Sequence, residues 1–307
     1  MSAPYAFVFG GCNLDISGRS AEPLAEGDSN PGRVQIGPGG VGRNIASNMA
    51  AMGVEVKLMT ALGDDAAKEM ILSSLPPNVD AKGAYIAPGE RTGTYLVLLD
   101  EEGEMVYAVN DMAVLRHLTP DRILERRSEA EGARAVVLDG NLPRESIETI
   151  LSWEIFAVVD GVSAIKVKKF RDVLDRIDIL KCNVAEARAL AGTTEDADIF
   201  DCGHRLVERG VTYAVITAGA AGAYLFSKEK TLHFSSNPMK IRGATGAGDA
   251  FCAGLAAGLI AGDDIVQAAR GAVACARMVL MRDESELIDF RRDAWEREKE
   301  EVYYETI

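Results

Sequence analysis

Tyr5-Ala6-Phe7-Val8-Phe9-Gly10-Gly11 is a nearly unbroken apolar run closed by two glycines. A strand with one wet face alternates, whereas a strand covered by helices on both faces does not, so this run reads as a central strand of a parallel sheet. Comparable runs follow at residues 54–61, 135–139, 156–160, 177–181 and 213–217, each separated from the next by a helix-length or turn-containing stretch. The alternation predicts βαβ units and an α/β fold. Two segments break it. Residues 15–36 are polar and rich in Gly, Ser and Pro, and residues 92–110 alternate apolar and polar around Asp100-Glu101-Glu102-Gly103, as a β-hairpin does. The hairpin is expected to form a lid or dimer surface on the α/β body. Residues 282–301 set Leu287, Ile288, Phe290 and Trp295 among charges and read as a solvated amphipathic helix.

The chain has 307 residues, 48% of them hydrophobic, which is enough for a full core in one main domain. Its formal charge of −14 argues against nucleic acid or an anionic membrane as partner, because both require a basic surface to displace counterions. Any phosphate must be held locally. Cys12, Cys182, Cys202, Cys252 and Cys275 form no C-x-x-C pair, and His204 near Cys202 has no further ligands beside it, so a reducing compartment is expected. Residues 1–11 carry no basic n-region and the small-apolar run 250–261 is too short to span a bilayer, so a cytoplasmic location is expected.

Thr245-Gly246-Ala247-Gly248-Asp249, followed by a small-residue run to Gly262, carries the chemistry. Small residues where a helix begins leave backbone N–H groups open to an anion, and here a carboxylate stands at the lip of that nest. Asp249 cannot be the bound anion. The arrangement suits a reaction in which a negative group is held while Asp249 handles a proton.

Gly37-Pro38-Gly39-Gly40-Val41-Gly42 matches G-x-G-x-x-G, with Asp64 about twenty residues downstream. The dinucleotide reading fails, because residues 33–36 alternate like a half-exposed strand and Pro38 removes a backbone donor. What remains is a glycine turn opening a helix over residues 43–52, with Arg43 and Asn44 in its first turn; close approach to a ligand and a purely structural turn both suit it. Asn13 and Asp15 follow the first strand near the carboxyl edge of the sheet, where open α/β proteins bind ligands. An amide and a carboxylate there can fix vicinal hydroxyls or make an ordinary turn. Asp139-Gly140-Asn141 and Asp160-Gly161 end strands on the same edge. Asn183 and Glu186, spaced N-x-x-E, suit either a hydrated magnesium ion beside a nucleotide phosphate or a helix capping box. Thr217-Ala218-Gly219-Ala220-Ala221-Gly222 supplies a further glycine turn after a strand.

Taken in order, these motifs resemble those of the ribokinase-like (PfkB-type) carbohydrate kinases along nearly the whole chain. Gly39-Gly40-Val41-Gly42-Arg43-Asn44 is similar to that family's first signature, residues 183–186 to its magnesium-associated pair, residues 217–222 to its nucleotide loop and Gly246-Ala247-Gly248-Asp249 to its catalytic signature. The resemblance implies a single domain over residues 1–307, a three-layer α/β/α body with a mostly parallel central sheet, and a small β lid from residues 15–36 and 92–110. It implies that ATP donates its γ-phosphoryl group to the 5′-hydroxyl of a ribosyl nucleoside. Asp249 would take the hydroxyl proton while the N–H groups of Gly246, Ala247 and Gly248 hold the charge on the phosphoryl oxygens. Asn13, Asp15, Gly39, Gly40, Arg43 and Asn44 would bind the ribose. Asn183, Thr217, Gly219 and Gly222 would line the ATP site, and Glu186 would hold Mg2+ through water.

Within the family, Ser29-Asn30-Pro31-Gly32, residues 38–46, Asn110-Asp111-Met112 and Val162-Ser163-Ala164-x-Lys166 most resemble the branch that acts on pseudouridine. That implies Ser29, Asn30, Asp111, Met112 and Lys166 near the base or ribose. The apolar hairpin face of Tyr95, Val97 and Leu99 separately suggests a homodimer joined through the lid. The family's catalytic signature often begins with Asp-Thr, whose Asp helps hold an activating monovalent cation. This chain has Gly243 and Ala244 there, so a potassium (K+) site would need backbone carbonyls instead. Two other classes stand beside the kinase: a non-catalytic nucleotide or nucleoside sensor, against which Asp249 and the Asn183/Glu186 pair argue, and a nicotinamide-dependent oxidoreductase, which a cofactor titration would separate.

Overall fold

Tyr5–Phe9 is a strand in the interior of a ten-stranded sheet. The computed structural model describes residues 4–243, 245–282 and 286–307. From one edge the sheet runs Val79–Asp80, Glu55–Met59, Tyr5–Phe9, Ala135–Asp139, Ala157–Asp160, Ile179–Asn183 and Tyr213–Thr217, all mutually parallel. Ala223–Phe226, Thr231–Ser236 and Val302–Thr306 then extend it antiparallel to the other edge.

The absence of alternation in the first run has the expected cause. Phe7 and Phe9 face a core shared with Val136, Leu138, Ile147, Leu190 and Leu206, and Ala6 and Val8 face a second core shared with Ile45, Leu58, Val137, Phe251 and Ala272. Helices Arg144–Ile150, Val184–Ala191 and Ile199–Glu208 cover the first face; Val41–Ala51, Ala247–Ala261 and Ile265–Leu280 cover the second. Each large apolar side chain so buried contributes about 1.5–3 kcal/mol. The small-residue run after Asp249 lets two of these helices approach closely, since a Cβ on Gly254 would stand 2.8 Å from Cys275 Sγ and 3.0 Å from Ala272 Cα. All five cysteines are free and buried. Among the described residues no helix is long and apolar enough to cross a membrane.

Residues 15–36 and 92–110 contribute to a separate four-stranded sheet ordered Gly32–Gly39, Asn13–Ser20, Thr94–Leu99, Met105–Asp111. Much of it faces solvent: Val34 is 69% exposed and Tyr107 71%.

Several expectations change. Gly37, Pro38 and Gly39 are not a turn but continue a strand, paired with Asp15, Leu14 and Asn13. The reversal is confined to Gly40, at φ 105°, and the helix starts at Val41. Pro38 is tolerated because Gly32–Gly39 is an edge strand. Residues 282–301 are not one solvated helix. Among the described residues of that span only Arg292–Glu300 is helical, Leu287 and Trp295 are buried, and the Trp295 indole donates to the Gly271 carbonyl at 3.1 Å.

Candidate active site

The register of the sheet assembles the site. Asp139 lies opposite Asp160, Asp160 opposite Lys181, and Asn183 opposite Thr217, so the carboxyl ends of four neighbouring strands present one polar row. Asp139 is turned to structure: its carboxylate accepts the N–H groups of Gly11 and Asn141, each at 2.7 Å. Asp160 accepts from the Val162 N–H at 2.9 Å and from Lys181 Nζ at 3.0 Å. Val162 sits at φ 66°, a conformation a β-branched residue adopts only under constraint.

Gly246, at φ 83°, caps the helix Ala247–Ala261. Its own N–H and those of Ala247, Gly248 and Asp249 have no carbonyl partner within the helix, which makes the anion nest. At its lip Asp249 Oδ2 accepts a hydrogen bond from Asn44 Nδ2 at 2.8 Å. Burial, reinforced by the Asp160 carboxylate, pushes Asp249 up to about 7, against the opposing pull of Asn44 and Lys181. Asn44 is held in one orientation by Arg43, whose Nη1 donates to Asn44 Oδ1 at 3.1 Å. Arginine has no acceptor, so the amide oxygen must face it and the NH2 group must face Asp249. The remaining Arg43 donors go to Ser74 Oγ at 3.1 and 3.0 Å, and Nη1 also meets Glu286 Oε1 at 2.5 Å. Arg43, expected at the ribose, is thus committed to protein partners and orients Asn44.

Asn13 is buried and donates from Nδ2 to Asp15 Oδ1 at 2.5 Å. Burial raises the Asp15 carboxyl while this bond opposes the rise. The glycines opposite are required by close approach. A Cβ on Gly39 would lie 2.1 Å from Asp15 Oδ2, and one on Gly40 2.4 Å from the Gly11 carbonyl oxygen.

The base-contacting candidates are spread more widely. Ser29 and Asn30 lie in the connection between the strands Asn13–Ser20 and Gly32–Gly39; Asn30 spends its amide on Ala25 N–H, Ala25 O and Asp28 O. Asp111 ends the strand Met105–Asp111, exposed, and accepts from the Ala113 N–H at 3.0 Å. Met112 packs against the core beside it. Lys166 is half-buried and donates to Asn141 Oδ1 at 2.6 Å; burial holds its ammonium below the usual lysine range.

Asn183 and Glu186 form the capping box their spacing allowed. Asn183 Oδ1 accepts from the Glu186 N–H at 2.9 Å and Glu186 Oε2 accepts from the Asn183 N–H at 3.0 Å, starting the helix Val184–Ala191. Glu186 is buried, and burial raises its carboxyl while Lys181 opposes the rise. Thr217 ends its strand; Gly219, at φ 57°, borders open space, since a Cβ there would meet no atom within 4 Å. Gly222 is constrained instead, since a Cβ would stand 2.0 Å from the Phe234 carbonyl oxygen. Gly243 is half-buried, and Ala244 lies outside the described residues. Among the described residues no three His, Cys, Asp or Glu side chains converge as direct metal ligands. A magnesium ion that keeps most of its waters and takes phosphate oxygens would fit this donor set, and Glu186 is the residue that would hold it through water.

Sequence reading missed two participants. Lys181 is a cation inside an otherwise apolar strand, a departure visible in the sequence and worth following. Glu286, 243 positions from Arg43, has no sequence signal.

Comparison with known proteins agrees with the geometry. Residues 3–286 match the model of the pfkB family carbohydrate kinases. The chain is 35% identical over 287 residues to a pseudouridine kinase of Escherichia coli K12, covering 90% of each chain. It is 26% identical to a guanosine-inosine kinase of Exiguobacterium acetylicum, covering 80% of this chain and 84% of that one. Its fold superposes on a ribokinase of Thermotoga maritima with a TM-score of 0.84 at 19% identity, covering 97% of this chain and 99% of the other. The protein is therefore a member of the pfkB carbohydrate kinase family, with the ribokinase-like fold, and is a phosphotransferase with an alcohol group as acceptor.

Proposed function

We propose that this kinase uses ATP, with magnesium, to phosphorylate the 5′-hydroxyl of a ribosyl nucleoside, and that pseudouridine is its preferred acceptor. The observation that carries the reading is Asp249, fixed by Asn44 at 2.8 Å beside the open N–H groups of a helix N-terminus. A proton acceptor and an anion site adjoin there, as transfer of a phosphoryl group to a hydroxyl requires.

In the proposed reaction the 5′-oxygen attacks the γ-phosphorus as Asp249 takes its proton. The bond from that phosphorus to the ADP oxygen breaks, and the electron pair leaves with ADP. The N–H groups of Gly246, Ala247 and Gly248 hold the phosphoryl oxygens, Asn183, Thr217, Gly219 and Gly222 border the nucleotide, and Asn13, Asp15, Gly39, Gly40 and Asn44 orient the ribose. Magnesium held through water by Glu186 would offset charge on the phosphates. Potassium has no side-chain ligand at Gly243. The preference for pseudouridine rests on the 35% identity to a pseudouridine kinase and on the motifs at Ser29, Asn30, Asp111, Met112 and Lys166. Pseudouridine presents a ring N–H that uridine lacks, and an acceptor such as Asp111 would discriminate strongly between them.

Residues 15–36 and 92–110 act as the lid of this single domain, keeping water from the transferring phosphate. The exposed Val34, Ile36, Met105, Tyr107 and Val109 support pairing of two lids in a homodimer. The free cysteines support a cytoplasmic location.

ATP consumption measured against pseudouridine, uridine, cytidine, adenosine, guanosine, ribose and fructose, with product mass, tests acceptor and chemistry together. Activity on uridine without activity on pseudouridine overturns the acceptor assignment. Asp249→Ala should bind ATP and lose turnover by several orders of magnitude; near-normal turnover overturns the role of Asp249.

A further inference from the structure

Residues 140–142 leave the strand Ala135–Asp139 at the polar edge of the sheet, and their backbone N–H groups are all taken there. Gly140 donates to the Asp160 carbonyl at 3.0 Å, Asn141 to Asp139 Oδ1 at 2.7 Å and Leu142 to the Asp139 carbonyl at 3.3 Å. Their carbonyls turn to a single ammonium. Lys169 Nζ donates to Gly140 O at 2.9 Å and Leu142 O at 2.8 Å, and lies 3.5 Å from Asn141 O. The three carbonyls match its three N–H donors.

Lys169 stands on the short 3₁₀ helix Lys166–Phe170, which Val167 and Phe170 anchor in the core. On the same element Lys166 donates to Asn141 Oδ1 at 2.6 Å. Because Lys169 occupies the loop carbonyls, that side chain is the one hydrogen-bond partner of Lys166 Nζ among the described residues, and two of its N–H donors are left over. The contact also orients Asn141. Lysine only donates, so the amide oxygen faces Lys166 and the NH2 group faces Gly11, where an added Cβ would stand 3.0 Å from Nδ2. Gly140 leaves equally little room, since a Cβ there would lie 2.7 Å from Gly161 O and 3.2 Å from Lys166 Cβ.

A cap for the strand end accounts poorly for this arrangement by itself. Burial, and then the Lys166 ammonium, hold Lys169 below the usual lysine range, so a charge at this position is costly. An uncharged donor would cap the carbonyls without that cost.

We propose that Lys169 is a positioning residue for the acceptor: it fixes the backbone of residues 140–142 so that Asn141 holds Lys166, two of whose N–H donors stay free for the base or ribose. Lys169 itself touches neither substrate. The assignment rests on the acceptor role proposed for Lys166. The acceptor panel with unaltered enzyme tests the kinase chemistry separately, and the variants are compared on whichever acceptor that panel turns over fastest.

The decisive experiment measures kcat and the KM for acceptor and for ATP in Lys169→Met, Lys166→Met and the double variant. A displacement of about 1 Å in a positioning group can cost about 10²-fold, so Lys169→Met should raise the acceptor KM about tenfold or more and leave the KM for ATP within about twofold. Lys166→Met should raise the acceptor KM at least as far. The double variant should match Lys166→Met in kcat/KM for the acceptor within about twofold, because both substitutions act through one contact. An acceptor KM unchanged in either single variant, equal rises in both KM values, or losses that multiply in the double variant would overturn the proposal. Should Lys169→Met fail to fold, Lys169→Gln keeps two donors on a shorter side chain, and an acceptor KM within about twofold of the unaltered enzyme would overturn it equally.

Discussion

The titration of Asp249 gives the sharpest prediction. Its carboxyl is pushed from 3.8 up to about 7, first by burial and then by the Asp160 carboxylate. A general base works only when ionised, so kcat/KM should rise with pH and level off above neutrality. With a midpoint near 7, about one enzyme in ten is competent at pH 6 and about one in a hundred at pH 5, a tenfold loss per unit. The Asn44 hydrogen bond stabilises the ionised form, so Asn44→Ala should move the acid limb to higher pH as well as weaken acceptor binding. Stability has the opposite slope. Because the folded pKa lies above the unfolded one, the native state holds more protons between pH 3.8 and about 7, and its stability falls as pH rises through that window. Asp249→Asn should therefore melt higher than the unaltered protein at pH 8, with the gap closing toward pH 4. Initial rates from pH 5 to 9 at subsaturating acceptor, with calorimetric scans of both proteins, test this. A kcat/KM flat from pH 5 to 8, or an asparagine variant that melts lower at pH 8, would refute the reasoning.

Gly42→Ala should destabilise by about 3 kcal/mol, at the upper end of overpacking costs, because the added Cβ would lie 2.6 Å from Gly10 Cα and 2.9 Å from Gly11 N, backbone on both counts; a denaturation midpoint equal to that of the unaltered protein would count against the fit described. Arg43→Met frees the Asn44 amide to flip and should lower kcat about tenfold or more. Glu286→Gln, which keeps an acceptor for Arg43, should lower it far less, and steady-state kinetics of the two variants separates orientation from gross damage. Val109→Asp combined with Tyr107→Asp places charge on the exposed face of the four-stranded sheet and should shift a dimer to monomer in sedimentation velocity; unchanged sedimentation removes that face from the assembly.

The parallel strands other than the two-residue Val79–Asp80 were legible because burial on both faces leaves an unbroken apolar run, as in Phe7 and Phe9 against Ala6 and Val8. Their carboxyl edge then located Asn13, Asp139, Asp160 and Asn183 without coordinates. The antiparallel strands Ala223–Phe226, Thr231–Ser236 and Val302–Thr306 were not legible. Thr231–Ser236 mixes His233, Ser235 and Ser236 with its apolar residues, and Val302–Thr306 lies at the sheet edge with most of its side chains exposed. Gly37 to Gly39 misled because their glycines look like a turn, whereas the segment continues a strand in which Gly39 admits the Asp15 carboxylate. The motif supplied Asn44 and Asp249, but their mutual hydrogen bond spans 205 positions, and the Arg43 contact that orients the amide depends on which way a guanidinium points. Spacing also left capping and metal binding open for Asn183 and Glu186, since both place an amide and a carboxylate three residues apart. The capping bonds are present in the fold.

The five buried thiols make the protein its own reporter. Cys12 lies between Gly11 and Asn13, Cys182 directly precedes Asn183, and Cys252 is one turn after Asp249, so three of them border the site. Burial pushes Cys12 up to about 12 and raises Cys182 and Cys252 well above the ordinary thiol range, so the reactive thiolate is scarce in the closed fold. A colorimetric thiol reagent would then react at the rate at which each segment opens, and a bound nucleoside or nucleotide would slow that rate in proportion to its affinity. Labelling kinetics, resolved by peptide mass, could thus map which ligand closes which side of the site in the unaltered protein, with no probe introduced.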